Sequence, residues 1–312
     1  IWHSLVARFL NRQRGRRAWD VGRRHYDIGD DLYERMLDRR MIYSCGLWDG
    51  ARNLAEAQAR KLQLICDKLA LTPGQRVLDV GCGWGGAAQY AAEHYGVEVT
   101  GVTVSEHQAE RARALCAGWP VEILLCDYRE LPEQVEQRFD AAYSIGMFEH
   151  VGHHNFETYM RVVRDVLTDD GLFVLHTIGN DRPTTTTEPW IERYIFPNSM
   201  LPSASQLCPA FERYFVLEDW QNFGADYDRT LMAWYRRFRD GWDVLGRVYD
   251  QRFYRMWSYY LLSSAGAFRA RSNQLWQLVL SPSGLTDGYR RSQREARFAA
   301  APPGEAAGDL PG

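Results

Sequence analysis

Residues 76–86 read RVLDVGCGWGG. A short apolar run (Val77, Leu78, Val80) leads into Gly81, Gly83, Gly85 and Gly86, and from there into GGAAQYAAEHYG, a helical pattern that ends on Gly96. An apolar run stopped by glycines reads as a buried strand entering a tight turn. A strand, a glycine turn and then a helix leave few architectures open, because this order is how parallel strands are connected. The unit then repeats. VEVTGVTVS (97–105) reads as a second strand and EHQAERARALCAG as a second helix. VEILLCDYREL is a third strand with a loop, FDAAYSIGMFEHVG a fourth, NFETYMRVVRDVL a helix and GLFVLHTIG a fifth strand. The alternation predicts an α/β fold with a doubly wound, Rossmann-like and mostly parallel sheet.

In such sheets ligands bind beyond the carboxyl ends of the strands. The positions to examine are therefore 79–86, 103–108, 127–128, 145–149 and 176–179. Residues 180–275 break the alternation with a loop-rich segment and aromatic helices such as YDQRFYRMWSYYLLSSAGAF, and read as an insertion covering the binding edge. LWQLVL (275–280) returns as a last strand. The domain reading is a basic linker or the end of a preceding region over 1–20, a catalytic domain over 21–290 and a disordered Ala/Pro/Gly tail over 291–312.

A net charge of −3 over 312 residues argues against nucleic acid as a partner. The six cysteines, Cys45, Cys66, Cys82, Cys116, Cys126 and Cys208, show neither CxxC nor metal-ligand spacing, so no metal is expected. They read as free thiols in a reducing compartment. No apolar run spans a membrane and no signal peptide is seen, which gives a cytoplasmic expectation. Seven arginines between Arg8 and Arg24 against the single acid Asp20 are either a solvated linker or a patch for anionic phospholipid headgroups.

Motif and strand ends together point to a nucleotide-type ligand. GxGxxG is present, but a dinucleotide fingerprint has no need of Asp79, two residues before the first glycine. The DxGxGxG spacing resembles motif I of S-adenosylmethionine-dependent methyltransferases. That cofactor carries an amino-acid end and no phosphate. Gly81 and Gly83 would let the backbone approach it, and Asp79 would meet its ammonium group. Thr103 and Gln108 would hydrogen-bond the ribose, and Asp127 would accept from the adenine amino group beside Tyr128. Ser105 reads as a helix N-cap.

YSCGLW, GMFEHVG, LHTIG, PWIERYIFPN and NFGADYDRTLMAWY, together with motif I, resemble the cyclopropane-fatty-acyl-phospholipid synthases and the mycolic acid cyclopropane synthases over roughly residues 20–290. The resemblance implies methyl transfer from S-adenosylmethionine to a cis double bond in an acyl chain. A bound bicarbonate ion then acts as the base that removes a proton so that the ring closes. By the same resemblance Cys45, Glu149, His176, Ile178 and Tyr227 would hold that ion, with the backbone N–H as the contact at Cys45 and Ile178. Tyr43, Ser44 and Ile145 would join the cofactor wall. Unsaturated phospholipid acyl chains are the implied substrate. Peripheral contact with an anionic membrane surface and a homodimer are the further partner expectations.

Taken singly, these residues have plainer readings. Cys45 is the kind of residue that fills a core, His176 after LFVL a satisfied core histidine, Tyr227 core or rim, and Glu149 a helix-terminal acid. Only their joint pattern favours a site. Three rival functions remain: a methyltransferase that leaves a methyl branch, a nicotinamide-dependent dehydrogenase and a non-catalytic lipid-binding protein. The dehydrogenase lacks an acid at the end of the second strand, where Glu106 already lies in the helix.

Overall fold

The computed structural model describes residues 29–291; the arginine-rich segment and all but the first residue of the 291–312 tail lie outside the described residues. Its first strand, β1 (Arg76–Val80), is buried from Val77 onward. RVLDV lacks polar alternation because both faces of this strand are covered. The parallel strands β2 (Glu98–Thr103), β3 (Val121–Leu125), β4 (Phe139–Ile145) and β5 (Leu167–Asn180) surround it. β6 (Val216–Asn222) and β7 (Asn273–Ser281) complete a seven-stranded sheet of order β3-β2-β1-β4-β5-β7-β6, with β7 antiparallel to both neighbours. The connections turn outward from β1 in opposite directions toward β2 and β4, which creates the crevice where such sheets bind ligands.

Among the described residues the helices longer than one turn are α1 (Asp30–Met36), α2 (Leu54–Lys68), α3 (Gly86–Tyr95), α4 (Glu106–Leu115), α5 (Phe156–Val166), α6 (Pro189–Tyr194), α7 (Ala204–Phe211), α8 (Gly224–Asp240) and α9 (Gln251–Arg269). Their ends follow local chemistry. Asn53 caps α2 by accepting from the Glu56 N–H at 2.9 Å, Ser105 caps α4 through the Gln108 N–H at 3.3 Å, and Gly96 ends α3 in the left-handed region. α2 departs from a simple amphipathic helix. Leu54, Ala57, Leu62 and Ile65 are buried as the spacing predicts, but so are Gln58, Lys61 and Lys68.

The structure divides the stretch 180–275 that the sequence reading treats as one insertion. α6, α8 and α9 gather the aromatic side chains: Tyr33, Trp234, Phe238 and Trp257 form a fully buried cluster with α1. α7 instead contributes Leu207, Ala210 and Phe211 to the core beneath α5, and Val216–Asn222 joins the sheet as its edge strand. β6 was hidden in the sequence because no residue in VLEDWQN is fully buried, so it lacks the apolar run that reveals β1. Among the described residues no helix is long and apolar enough to cross a membrane.

Candidate active site

Two adjoining cavities lie over the carboxyl edge of the sheet. The first is lined by Asp79, Gly81, Gly83, Thr103, Gln108, Asp127, Tyr128 and Ile145 from the strand ends, and by Tyr43 and Ser44 from the loop after α1. Every residue assigned to the cofactor from sequence therefore stands on one wall. Gly81 and Gly83 have φ of 92° and 54°. A Cβ on Gly81 would come 2.6 Å from the Met147 side chain, whereas one on Gly83 would meet nothing within 4 Å because it faces open cavity. Asp79 is 2% exposed, and its Oδ2 is buried without a protein partner. Burial pushes its pKa up to about 7, opposed by Tyr143 and the Lys61 ammonium. A buried acid with one oxygen unpartnered, beside a turn that carries no side chain at positions 81, 83, 85 and 86, fits the ammonium end of S-adenosylmethionine.

Other groups on this wall are already engaged. Thr103 donates to Gln108 Oε1 at 3.0 Å. Asp127 accepts from the backbone N–H of Arg129 at 3.0 Å and also holds that residue's guanidinium, which leaves a carboxylate with further acceptor sites on the cavity lining. The Tyr128 hydroxyl is buried without a partner, with its ring edge-on to Tyr159 at 5.1 Å.

The second cavity, about 640 Å³, is lined by Glu149, Ile178 and Tyr227 along with Phe196, Leu231, Tyr259, Tyr260 and Phe268. That volume is within the roughly 300–1,000 Å³ of small-molecule sites. Tyr43, Gly146 and His150 line both cavities and form their common wall. The Tyr43 and Tyr260 hydroxyls meet there at 2.9 Å.

Glu149 is 5% exposed. Its Oε1 accepts from the Ile178 backbone N–H at 2.7 Å, and its Oε2 is buried with no partner. Burial raises its pKa to about 7 against the opposing Ile178 N–H. That amide is thus occupied by the carboxylate, contrary to its expected role as an anion contact. His176, two residues earlier on β5, is 2% exposed; its Nε2 is buried without a partner and its Nδ1 lies 3.1 Å from Gln277 Nε2. Burial holds the ring neutral, well below the usual histidine range. Tyr227 packs its ring 4.5 Å from Phe268.

Two of the five expected anion ligands, His176 and Cys45, do not line the cavity. The Cys45 thiol turns onto Gly46 O at 3.2 Å and toward Thr230, and burial pushes it far up, so it is an uncharged packing group.

The sequence reading missed three participants. Lys61 lines the first cavity, donates to Ser44 Oγ at 2.8 Å and has its pKa lowered to about 8 by burial. His150 stands on the common wall, driven down to about 4 by burial. Gln277 supports His176 from β7. A signal for Lys61 was available: positions 58, 61, 65 and 68 fall on one helical face, which places polar residues on the buried stripe of α2.

A family model described as mycolic acid cyclopropane synthetase matches residues 13–278. The cyclopropane-fatty-acyl-phospholipid synthase of Escherichia coli (strain K12) is 54% identical over 284 residues, covering 91% of this chain and 73% of that protein. A probable fatty acid methyltransferase of Pseudomonas putida is 34% identical, covering 85% of this chain and 69% of that protein. Among solved structures, the mycolic acid cyclopropane synthase CmaA1 complexed with SAH and CTAB superposes with a TM-score of 0.77 at 29% identity, covering 84% of this chain and 98% of that one. The cyclopropane synthase MmaA2 from Mycobacterium tuberculosis gives the same TM-score and coverage at 28% identity. A cavity that gathers motif I with the other strand ends, and a family match over most of the length, place this chain in the mycolic acid cyclopropane synthetase family of S-adenosylmethionine-dependent methyltransferases.

Proposed function

We propose that this protein converts the cis double bond of an unsaturated phospholipid acyl chain into a cyclopropane ring, with bicarbonate as the base. The observation that carries the reading is Glu149 Oε2, a buried polar atom without a hydrogen-bond partner on a residue that lines the second cavity; His176 Nε2, on β5 two residues before Ile178, is a second such atom. Buried polar atoms in folded proteins are nearly always paired, so two such orphans suit a small polar guest. The 54% identity to a protein of this name supports the same activity.

S-adenosylmethionine supplies an electrophilic methyl group to the alkene. The residues of the first cavity do the holding. Asp79 faces the ammonium, Gly81 and Gly83 leave room for the backbone to approach, and Tyr43 with Gly146 separates the two chambers. The acyl chain lies in the second cavity, where the faces of Tyr227, Tyr260 and Phe268 stabilise positive charge developing on the alkene carbons. His176 donates from Nε2 and Tyr227 from its hydroxyl to the anion. Glu149, when ionised, accepts the anion's proton through Oε2 and orients it toward the new methyl group, while its other oxygen stays on Ile178. An acyl chain filling the cavity against Phe196, Tyr260 and Phe268 would exclude water that otherwise quenches the cation. The set differs from what the resemblance implies, since the Ile178 amide is occupied by Glu149, and neither Cys45 nor His176 is on the lining of the second cavity. The protein meets the membrane peripherally, within the cytoplasm.

A second reading, methylation without ring closure, is favoured by the P. putida relative named as a probable fatty acid methyltransferase. Mass analysis after incubation with a cis-monounsaturated phospholipid and S-adenosylmethionine separates the two. A cyclopropane synthase adds one CH₂ and consumes the double bond. A product that gains CH₂ but still takes up hydrogen overturns the ring-closing reading.

A further inference from the structure

We propose that Gln277 and Lys68 are positioning residues that lock His176 as a neutral imidazole with its proton on Nε2, so that the ring offers the site a donor and never an acceptor. This rests on the reading of His176 as a partner of the bound anion.

The argument runs from the sheet outward. β5 and β7 are antiparallel, and their register sets His176 directly opposite Gln277. The Gln277 side-chain nitrogen lies 3.1 Å from His176 Nδ1. The other end of the same amide, Oε1, accepts from Lys68 Nζ at 2.8 Å. An ammonium group can only donate, so Lys68 dictates which way the amide faces: oxygen toward the lysine, NH₂ toward the imidazole. The NH₂ can only donate, so Nδ1 has to present its lone pair. A neutral imidazole then carries its hydrogen on Nε2.

Lys68, Gln277 and His176 are 0%, 2% and 2% exposed, so solvent does not compete for these contacts. His176 Nε2, the atom at which the series ends, is the one without a protein partner. A proton on Nδ1 would set two donors face to face, which disfavours the imidazolium. Burial and the nearby Lys61 and Lys68 ammonium groups act in the same direction. Burying an ammonium on the inner face of a helix is costly; fixing the orientation of a buried amide gives Lys68 a function that a leucine could not replace.

The test is ¹⁵N NMR of histidine-labelled protein, with single-turnover kinetics alongside. The wild-type His176 ring should show a pyrrole-type Nε2 and a pyridine-type Nδ1 throughout the neutral range. Lys68→Met frees the amide to present either end, and Gln277→Leu removes it. Each should give a mixture of ring tautomers and lower turnover roughly 10-fold or more, the usual size of an effect transmitted through an outer-shell partner, with S-adenosylmethionine affinity unchanged. A wild-type ring protonated on Nδ1 overturns the proposal without need of any variant. Full turnover in a Lys68→Met protein whose tautomers are mixed also overturns it. His176→Ala distinguishes the two levels. If that change leaves turnover intact, the anion-site reading itself fails. If it abolishes turnover while the tautomer results go against expectation, only the positioning role fails.

Discussion

Glu149 Oε1 accepts the Ile178 backbone N–H at 2.7 Å, which ties the loop after β4 to β5 and leaves Oε2 of the same carboxylate buried without a hydrogen-bond partner. A single side chain thus combines a structural contact with an unpartnered atom at the site. The two roles separate under substitution.

Glu149→Gln keeps the acceptor for Ile178 but loses the ionisable oxygen. Turnover should fall roughly 100-fold or more, the scale of a general acid–base contribution. Stability should move the other way. The folded-state pKa of Glu149 is raised from 4.5 to about 7. Its contribution is therefore fully present below 4.5 and is lost as pH rises through 7. The glutamine does not titrate and escapes that loss, so its stability advantage over wild type should grow across this window, by up to about 3 kcal/mol. Urea unfolding of both proteins as a function of pH measures the gap, and a gap that does not change with pH would mean that Glu149 keeps its ordinary pKa in the fold.

Tyr227→Phe should lower turnover less than the Glu149 change. Combined with Glu149→Gln it should cost less than the product of the two single losses, because groups that hold one guest act as a unit. Fully multiplicative losses in a double-mutant cycle would assign Tyr227 to acyl-chain packing alone.

Lys61→Met should weaken S-adenosylmethionine binding at neutral pH, by roughly 10-fold if one charge contact is worth about 1.4 kcal/mol. Lys61 is one of the two groups that hold the raised Asp79 pKa at about 7, and without its ammonium Asp79 would ionise only at higher pH. The deficit should shrink in alkaline buffer, where Asp79 is ionised in both proteins. Isothermal titration at two pH values reads this out; a deficit independent of pH would assign Lys61 to shaping the wall through Ser44.

Gly83→Val should abolish S-adenosylmethionine binding; valine is strained at this left-handed position by about 1–3 kcal/mol, so circular dichroism has to show the variant folded before the loss is assigned to the cavity. Position 83 has φ of 54°, and a side chain there meets no protein atom and projects into the cavity. Retained binding by calorimetry would place the cofactor away from this turn.

How much of this was legible in the sequence depended on whether one residue's chemistry carried the information. β1 is readable because Val77, Leu78 and Val80 need cover on both faces, and the lining of the first cavity is readable because Asp79, Thr103 and Asp127 sit at successive strand ends. β6 is not, since an edge strand with no fully buried residue leaves no apolar run. Lys61, Lys68 and Gln277 look like ordinary polar positions until the fold supplies their partners from distant parts of the chain. Glu149 stands in SIGMFEHVG as a carboxylate in an apolar run, but its bond to Ile178 joins residues that only the sheet brings together. The neutrality of Cys45 likewise follows from burial in a cluster assembled by α1, α8 and α9.

β7 lies between β5 and β6 in the sheet yet follows both in the chain. On the ribosome, the edge of β5 that carries His176 and Ile178 has no neighbour until residue 273 has emerged. An unpaired strand edge invites association with other chains. The nascent protein therefore cannot pass through a stage that is folded, soluble and half active. Pairing of β7 with β5 and support of the His176 ring are one event, because that strand brings Gln277 to His176. A chain stopped after Arg269 should accumulate in aggregates or on chaperones, whereas one stopped after Arg291 should be recovered folded; soluble, folded protein from the shorter chain would refute this dependence.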